Sequence, residues 1–247
     1  MARRAFANYC RVGGIPEFVR LEQTDYLHGL YEGVIYRDII TRYKLTQEKP
    51  IKELVFYLAS HVGKEITYNS LRKIIGLSNA ATVGEYFEYL ENSFLCFLVN
   101  RYSHSLKKQI GYEKKQYFID HALAGAVGFR TSDDRGRFLE NIIFIELKRR
   151  NKDIYFHKER NECDFVIKYK NKIEEVIQVC IHLESVDIKK RVYGGLIEAM
   201  RAYGLQSGII LTEGAEYNET FIFEGIEYNI KVLAVWKWLL NYASYPN

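Results

Sequence analysis

Three strand-forming runs follow one another with almost nothing between them. Residues 154–158, 163–169 and 173–181 are rich in Ile, Val, Phe and Tyr, and they are separated by short turns at Arg160-Asn161 and Asn171-Lys172. Tight polar turns between such runs predict adjacent strands of one sheet. A strongly apolar helix is predicted before them, over 137–150. After them come a helix over 188–203 closed by Gly204, strands over 207–212 and 228–235, and a last helix over 236–242. A further strand is predicted over 116–120. Alternating strands and helices of this kind build an α/β sandwich with a mixed sheet.

The chain before this region reads differently. Residues 1–45 are helical: a first helix ends at Gly13-Gly14, and Pro16 blocks its continuation. Thr24 is placed to cap a second helix whose stripe is Leu27, Leu30, Val34, Ile35 and Ile39. Over 46–112 the pattern is that of a winged helix-turn-helix. Pro50 opens a helix carrying Ile51, Leu54, Val55, Leu58 and Ala59, and Gly63 stops it. Thr67 caps a short helix with Leu71, Ile74 and Ile75 inward. Gly76-Leu77-Ser78 makes the turn, and a third helix from Ala80 turns Val83, Tyr86, Phe87 and Leu90 inward. A strand over 94–99 and a basic wing over 101–115 complete the segment. The expected organisation is therefore a helical segment (1–45), a winged helix (46–112) and an α/β domain (113–247), in the α+β / α/β class.

Composition narrows the setting. The net charge of +4 and pI near 8.7 are compatible with nucleic acid but do not argue for it, because phosphate binding needs clustered cations. The 20 Tyr suit amphipathic packing and also tolerate stacking on bases. Cys10, Cys96, Cys163 and Cys180 show neither CxxC spacing nor a nearby His pair, so no disulfide framework or zinc knuckle is expected. Met1-Ala2-Arg3-Arg4 is followed by no sustained apolar region, and no run is long enough to span a bilayer. A cytoplasmic protein with no membrane partner is expected.

Chemistry concentrates between Gly136 and Cys180. Glu140 shares its helix face with Ile143, Phe144 and Leu147, so its carboxylate needs a partner or a metal. Asp164 begins an apolar strand, where it either marks a site or caps a turn. Gln178 and Cys180 are two apart on the next strand and share a face, with His182 further along it. Helix acid, strand acid and a polar pair on the following strand give the order of a PD-(D/E)XK nuclease fold. There, oxygen ligands hold Mg²⁺, which polarises phosphate and water. The third element should read Asp/Glu-x-Lys and here reads Gln178-Val179-Cys180. Gln178 is a poorer Mg²⁺ ligand than a carboxylate. Cys180 supplies no fixed positive charge, and no base stands at recognisable spacing to make it a nucleophile. Lys189 and Lys190 open the next helix and could stand in for the lysine, or form a solvated helix start.

Across nearly its whole length the chain resembles the C-terminal region of a large prokaryotic family of predicted AAA+ ATPases, catalogued mainly as a domain of unknown function. The likeness rests on Gly13-Gly14-Ile15-Pro16-Glu17, Tyr36-Arg37-Asp38-Ile39, Thr82-Val83 with Tyr89-Leu90-Glu91, and Tyr117-Phe118-Ile119-Asp120. It continues through Gly136-Arg137 with Leu139-Glu140-Asn141, Glu162-Cys163-Asp164-Phe165-Val166-Ile167, and Ile177-Gln178-Val179-Cys180. The resemblance implies an ATPase module ahead of residue 1, then a winged helix, then a PD-(D/E)XK-like domain. It makes residues 1–45 similar to the end of an ATPase lid and Gln-Val-Cys the usual reading in this branch. Gly63-Lys64, the one Gly-Lys pair, is followed by Glu65 and lacks the upstream glycine of a phosphate loop. No ATP hydrolysis by this chain alone is expected.

Three functions follow. In the first, the chain is a regulatory or nucleic-acid- or protein-binding module of a AAA+ ATPase, partnered by the absent ATPase module or its homologues. Its nuclease site is then degenerate, Glu140, Asp164 and Gln178 are remnants, and no cofactor is needed. In the second, it is a Mg²⁺-dependent DNA nuclease, with Glu140 and Asp164 on the metal and Lys189 or Lys190 replacing the lysine. In the third, it is purely a protein-interaction module. For DNA, the third helix of the winged segment is unfavourable, carrying Glu85, Glu88 and Glu91 and no Lys or Arg between 79 and 93. The wing suits a phosphate backbone better, with Arg101, His104, Lys107, Lys108, Lys114 and Lys115 interleaved with Tyr102 and Tyr112.

Overall fold

A computed structural model describes residues 1–129 and 135–241. Among them the chain forms eleven α-helices, a π-helical stretch and nine strands, and its strand pairs are both parallel and antiparallel. The mixed α/β class is as expected. Two compact units result: Arg3–Val99 with Gly111–Ile145, and Asn100–Ile110 with the chain from Glu146 onward. They do not follow the three segments expected from pattern. Residues 1–45 pack within the first unit, and the chain returns to that unit after residue 110.

In the first unit, α1 (Ala2–Val12) ends at Gly13, whose φ of 72° is the left-handed conformation that glycine tolerates. Pro16 then opens α2 (Pro16–Leu21). In α3 (Thr24–Gly33) the cap position belongs to Gln23, not to Thr24, which is already helical. The helix widens without a break into a π-helical stretch, Val34–Thr41, burying Ile35, Ile39 and Ile40. In α4 (Lys49–Ala59), Ile51, Leu54, Val55, Leu58 and Ala59 are all buried, as their spacing requires. Then follow β1 (Glu65–Ile66), α5 (Tyr68–Ile74), α6 (Ala80–Asn92) and β2 (Cys96–Arg101). Thr67 and Ser70 close a reciprocal capping box on α5, the Ser70 N–H reaching Thr67 Oγ1 at 3.0 Å. Leu71 and Ile75 are buried but Ile74, expected inward, is exposed. It is the last residue of α5, and the chain turns away there.

The stretch expected as an open wing holds a short helix, α7 (Leu106–Gly111). β3 (Lys114–Phe118) pairs antiparallel with β1 and neighbours β2. It starts two residues before the expected strand, and Asp120 is not part of it. Instead Asp120 caps a helix that the sequence pattern did not reveal, α8 (His121–Val127), accepting from the N–H groups of Ala122 and Leu123. Its other oxygen accepts from Gly14 N–H at 2.7 Å. A side chain on Gly13 would collide with this carboxylate. Two separated sequence motifs, Gly13-Gly14 and the segment ending in Asp120, are thus halves of one contact.

The second unit begins where Asn100 and Arg101 pair in parallel with Tyr155 and Phe156. After α9 (Arg135–Arg149), whose last turn lies here, come β4 (Asp153–Lys158), β5 (Glu162–Tyr169) and β6 (Lys172–Val179) as an antiparallel run. α10 (Val186–Tyr203) crosses over to β7 (Ser207–Thr212), parallel to β6. β8 (Tyr217–Phe223) and β9 (Ile226–Ala234) form a hairpin, and α11 (Val235–Asn241) follows. Of the expected final helix over 236–242, Tyr242 lies outside the described residues. The hairpin turn, Glu224-Gly225, has both φ values positive (51° and 76°), as a two-residue turn between twisted strands demands. β8 was not foreseen. It runs along the edge of the sheet, with Phe221 packed on the core and Ile222, on the other face, exposed. The core of this unit gathers Val192, Leu196, Ala199 and Met200 of α10 over Cys163, Val166, Val176, Ile210 and Ile230. Burying each large aliphatic side chain contributes about 2 kcal/mol.

Candidate nuclease-like site and basic segment

Glu140, in the first unit, is the foremost expected metal ligand. Its Oε1 accepts from Lys115 Nζ at 2.9 Å and from the Tyr117 hydroxyl at 2.5 Å. The Lys115 side chain is 2% exposed and that of Glu140 13%, so this is an internal ion pair. The pairing follows from two periods. Lys115 and Tyr117 lie two apart on β3 and share a face, and α9 presents Glu140 to that face. The next residue, Asn141, is fully buried and grips β3 at Phe118, accepting from its N–H at 2.8 Å and donating to its carbonyl at 3.0 Å. Gln116 fixes the opposite face by donating to the Leu58 and His61 carbonyls, both at 2.8 Å. The Leu139-Glu140-Asn141 motif is thereby accounted for as the lock between α9 and β3.

Asp164, Gln178 and Cys180 belong to the second unit. Opposite β4, the register shifts between Tyr155↔Val166 and His157↔Cys163, leaving two β5 residues, Asp164 and Phe165, facing one. Such a bulge re-aims a side chain. Asp164 turns to β6, where its Oδ2 accepts from Val179 N–H at 2.9 Å, while its own N–H donates to Gln178 Oε1 at 3.3 Å. These side-chain bonds continue the β5–β6 pairing beyond Phe165↔Ile177, where the ladder stops. The structure brings Asp164 and Gln178 together as a strand clamp.

Cys180 is not set up as a nucleophile. Burial pushes its thiol above the ordinary value, and Sγ lies 2.8 Å from the His182 carbonyl. Lys189, one of the two candidate replacement lysines, is held 3.1 Å from Glu219 on β8, with its ammonium 4.9 Å from the Tyr193 ring centre. Tyr193 in turn donates to Glu219 at 2.6 Å. Lys190 is exposed. Among the described residues no three His, Cys, Asp or Glu side chains group so as to hold a metal ion.

The basic segment is divided between the units. His104, Lys107 and Lys108 are exposed, and Arg101 is half-buried at the end of β2. Lys114 is half-buried, and burial pushes its ammonium below the ordinary lysine value. Lys115 must be withdrawn from the phosphate-binding set: its ammonium is inside, on Glu140. On α6, Glu85 and Glu88 are exposed, whereas Glu91 accepts from Leu98 N–H at 2.9 Å and so braces β2.

One polar network went unseen in the sequence. Glu198 of α10 accepts from Arg160 N–H, Asn161 N–H and the Asn161 amide, and stands 3.1 Å from His157 Nε2. His157 Nδ1 lies 2.9 Å from the Tyr203 hydroxyl. The Arg160-Asn161 turn was legible, but its anchor nearly forty residues away was not. Burial works against the charged form of Glu198, yet the Asn161 N–H groups and His157 outweigh it and hold its pKa below the ordinary 4.5. A depressed carboxylate adds stability that is full above its unfolded pKa and is lost as pH falls through the folded one. The wild-type melting temperature should therefore drop below pH 4.5 more steeply than that of Glu198→Gln, measured by circular dichroism. Parallel pH profiles would contradict this role.

The model of a domain of unknown function (DUF8612) matches residues 3–134, more than half of the chain. The chain belongs to this family. Uncharacterized protein MJ1544 of Methanocaldococcus jannaschii is 30% identical over 249 aligned positions, covering 95% of this chain and 55% of that protein. An uncharacterized protein of Haemophilus influenzae is 26% identical, covering 96% of this chain and 58% of its own length. This DUF8612 chain thus spans little more than half the length of these relatives. Among solved structures, a refined half-complex of Thermococcus gammatolerans McrB AAA+ hexamers with bound McrC aligns with 80% of this chain and 53% of that one, at 11% identity and a TM-score of 0.33. A score that low carries no argument about fold or function. Among the described residues no helix is long and apolar enough to cross a membrane.

Proposed function

We propose that this chain is a non-catalytic binding module whose nuclease-like residues have passed into structural use, and that it serves a AAA+ ATPase as a regulatory or partner-binding region. The observation that carries the first part is the internal ion pair of Glu140 with Lys115, reinforced by Tyr117. A carboxylate whose charge is already matched by a buried ammonium has less to offer Mg²⁺, and drawing it away would leave that ammonium uncompensated, which is costly. The Asp164–Val179 and Lys189–Glu219 contacts support the same reading.

Element order supports the scaffolds. Helix, strand, two helices and two strands parted by the short α7, with the strands in the order β1-β3-β2, suit a winged helix. A helix, three antiparallel strands, a crossover helix and a parallel strand suit a PD-(D/E)XK-like core. The ATPase connection rests on the resemblance of the quoted motifs. The carboxylates of Glu85 and Glu88 on α6 disfavour major-groove docking and favour a protein as partner.

Plasmid DNA incubated with the purified chain and Mg²⁺ or Mn²⁺ should remain uncut at high protein concentration. Cleavage that is present in wild type and disappears in Asp164→Ala would overturn the non-catalytic reading and install the metal-dependent nuclease.

A further inference from the structure

In the second unit, β8 is an edge that nothing in its own sequence protects. It ends the strand order of the sheet, and among the described residues it pairs with β9 alone. An edge strand offers a row of unpaired N–H and C=O groups to any other extended chain. Soluble proteins blunt such edges by shortness, lysine, proline or a bulge. β1, at the other end of the order, is only two residues long. β8 runs for seven, Tyr-Asn-Glu-Thr-Phe-Ile-Phe, without lysine, arginine, proline or glycine. It meets β9 residue for residue, with no register shift.

The hairpin fixes which backbone groups are on offer. A two-residue turn closes on a hydrogen-bonded pair, here Phe223↔Ile226, and the pattern alternates from there. Glu219 and Phe221 therefore spend their backbone groups on β9, and those of Asn218, Thr220 and Ile222 point outward. The side chains of these three are neutral and exposed, Ile222 by 70%. On the opposite face α10 braces the strand. Tyr193 donates to Glu219 at 2.6 Å, Lys189 lies 3.1 Å from the same carboxylate, and the Tyr193 and Tyr217 hydroxyls are 3.2 Å apart. The one charge on β8 is thereby matched in place. An edge already held in its extended form loses little freedom on pairing.

We propose that β8 pairs antiparallel with β8 of a second copy of this chain, about a two-fold axis through Thr220. Thr220 then faces Thr220, and Asn218 faces Ile222 in both directions, each facing pair exchanging N–H···O=C bonds both ways. Thr220 is the midpoint of the strand and one of its outward residues, so this register matches the whole edge to itself and leaves no outward group over. Like charges facing one another across a strand pair destabilise it. Here the outward row is uncharged, and Glu219 is held by Lys189 of its own copy. A two-fold contact consumes both edges, so growth stops at the dimer. One strand pair covers a small area, which places the contact in the weak class, under about 1,200 Å². The inference goes beyond the binding role proposed above and does not rest on it. The cleavage assay reads only the nuclease-like residues, so either can fail alone.

Sedimentation of the full chain over about 5–200 μM (the range in which an interface of this class associates) should show a monomer–dimer equilibrium and nothing larger. Amide hydrogen exchange should slow at Asn218, Thr220 and Ile222 as the dimer fills, while Glu219 and Phe221 stay slow throughout. Thr220→Pro removes an outward N–H and leaves the β9 ladder intact. It should weaken association at least about tenfold, having lost both central hydrogen bonds. Ile222→Lys, a change at an exposed site, adds the lysine that guards other edges and should weaken association comparably. A wild-type chain that stays monomeric throughout, a dimer whose outward amides exchange as fast as in the monomer, or folded variants that associate like wild type would each overturn the proposal. So would a monomeric wild-type chain whose same amides are protected by an unrelated Thr-Val peptide of equal length, which would make the edge a general peptide acceptor.

Discussion

Lys115→Met should cost the first unit about 3–5 kcal/mol, the range for removing one partner of a buried ion pair. The ammonium is 2% exposed and lies 2.9 Å from Glu140 Oε1, with the Tyr117 hydroxyl on the same oxygen. Deleting the lysine leaves a carboxylate that is 13% exposed facing a methionine. The denaturation midpoint in urea should fall with no change in slope. Lys115→Met/Glu140→Leu should recover a large part of the loss, because an apolar pair of similar volume needs no compensation. A metal-binding Glu140 would behave in the opposite sense: Glu140→Gln would relieve crowded charge, raise stability and abolish Mg²⁺ uptake measured calorimetrically. A loss below about 1 kcal/mol in Lys115→Met would remove the internal pair as the reason for Glu140.

Two neighbouring glycines of α10 should respond with opposite signs. A side chain at Gly195 would put its Cβ 1.9 Å from the Glu162 carbonyl oxygen, a backbone atom that cannot yield without moving β5. Gly195→Ala should therefore destabilise the second unit by about 3 kcal/mol, the upper part of the usual overpacking range. At Gly194 the nearest atom, on the Asn161 side chain, is 3.6 Å away, an ordinary contact. Gly194→Ala should stabilise by about 0.5–1 kcal/mol, since alanine restricts the unfolded chain and favours helix. Equal effects at the two positions, read from thermal or chemical melts, would mean that α10 does not lie on β5 at this point.

Much of the fold was legible because its signals are local. The buried stripe of α4, the cap at Thr67, the stop at Gly204 and the run from β4 to β7 each need only a few neighbouring residues. Two of the misreadings share one origin: a feature whose partner lies far along the chain. β3 was framed two residues late, which hid the fact that Lys115 and Tyr117 share a face, and Lys115 was counted as a wing cation. Asp120 was read into that strand because one of its partners, Gly14, lies more than a hundred positions away, and its local cap on α8 went unread. β8 escaped for another reason: it is an edge strand whose core-facing Phe221 alternates with polar residues, and among the described residues it pairs only with its neighbour in sequence, β9.

The candidate site was legible as a set of positions. Glu140, Asp164 and Gln178 were singled out by their order on a helix and two successive strands, and Glu140 also because a carboxylate amid apolar residues needs a partner; each has one. Which partner was beyond the sequence. A residue's own period fixes the face on which it lies, and nothing in that period says what stands opposite. By itself the sequence determined the mixed α/β class, most of the helices and strands, and the inward turn of Glu140. Tertiary structure alone decided that Glu140 meets a lysine, that Asp164 and Gln178 clamp β5 to β6, and that Glu198 anchors a distant turn. Hydrogen bonds and ion pairs act over about 3 Å, and only folding brings groups so far apart in the chain within that reach.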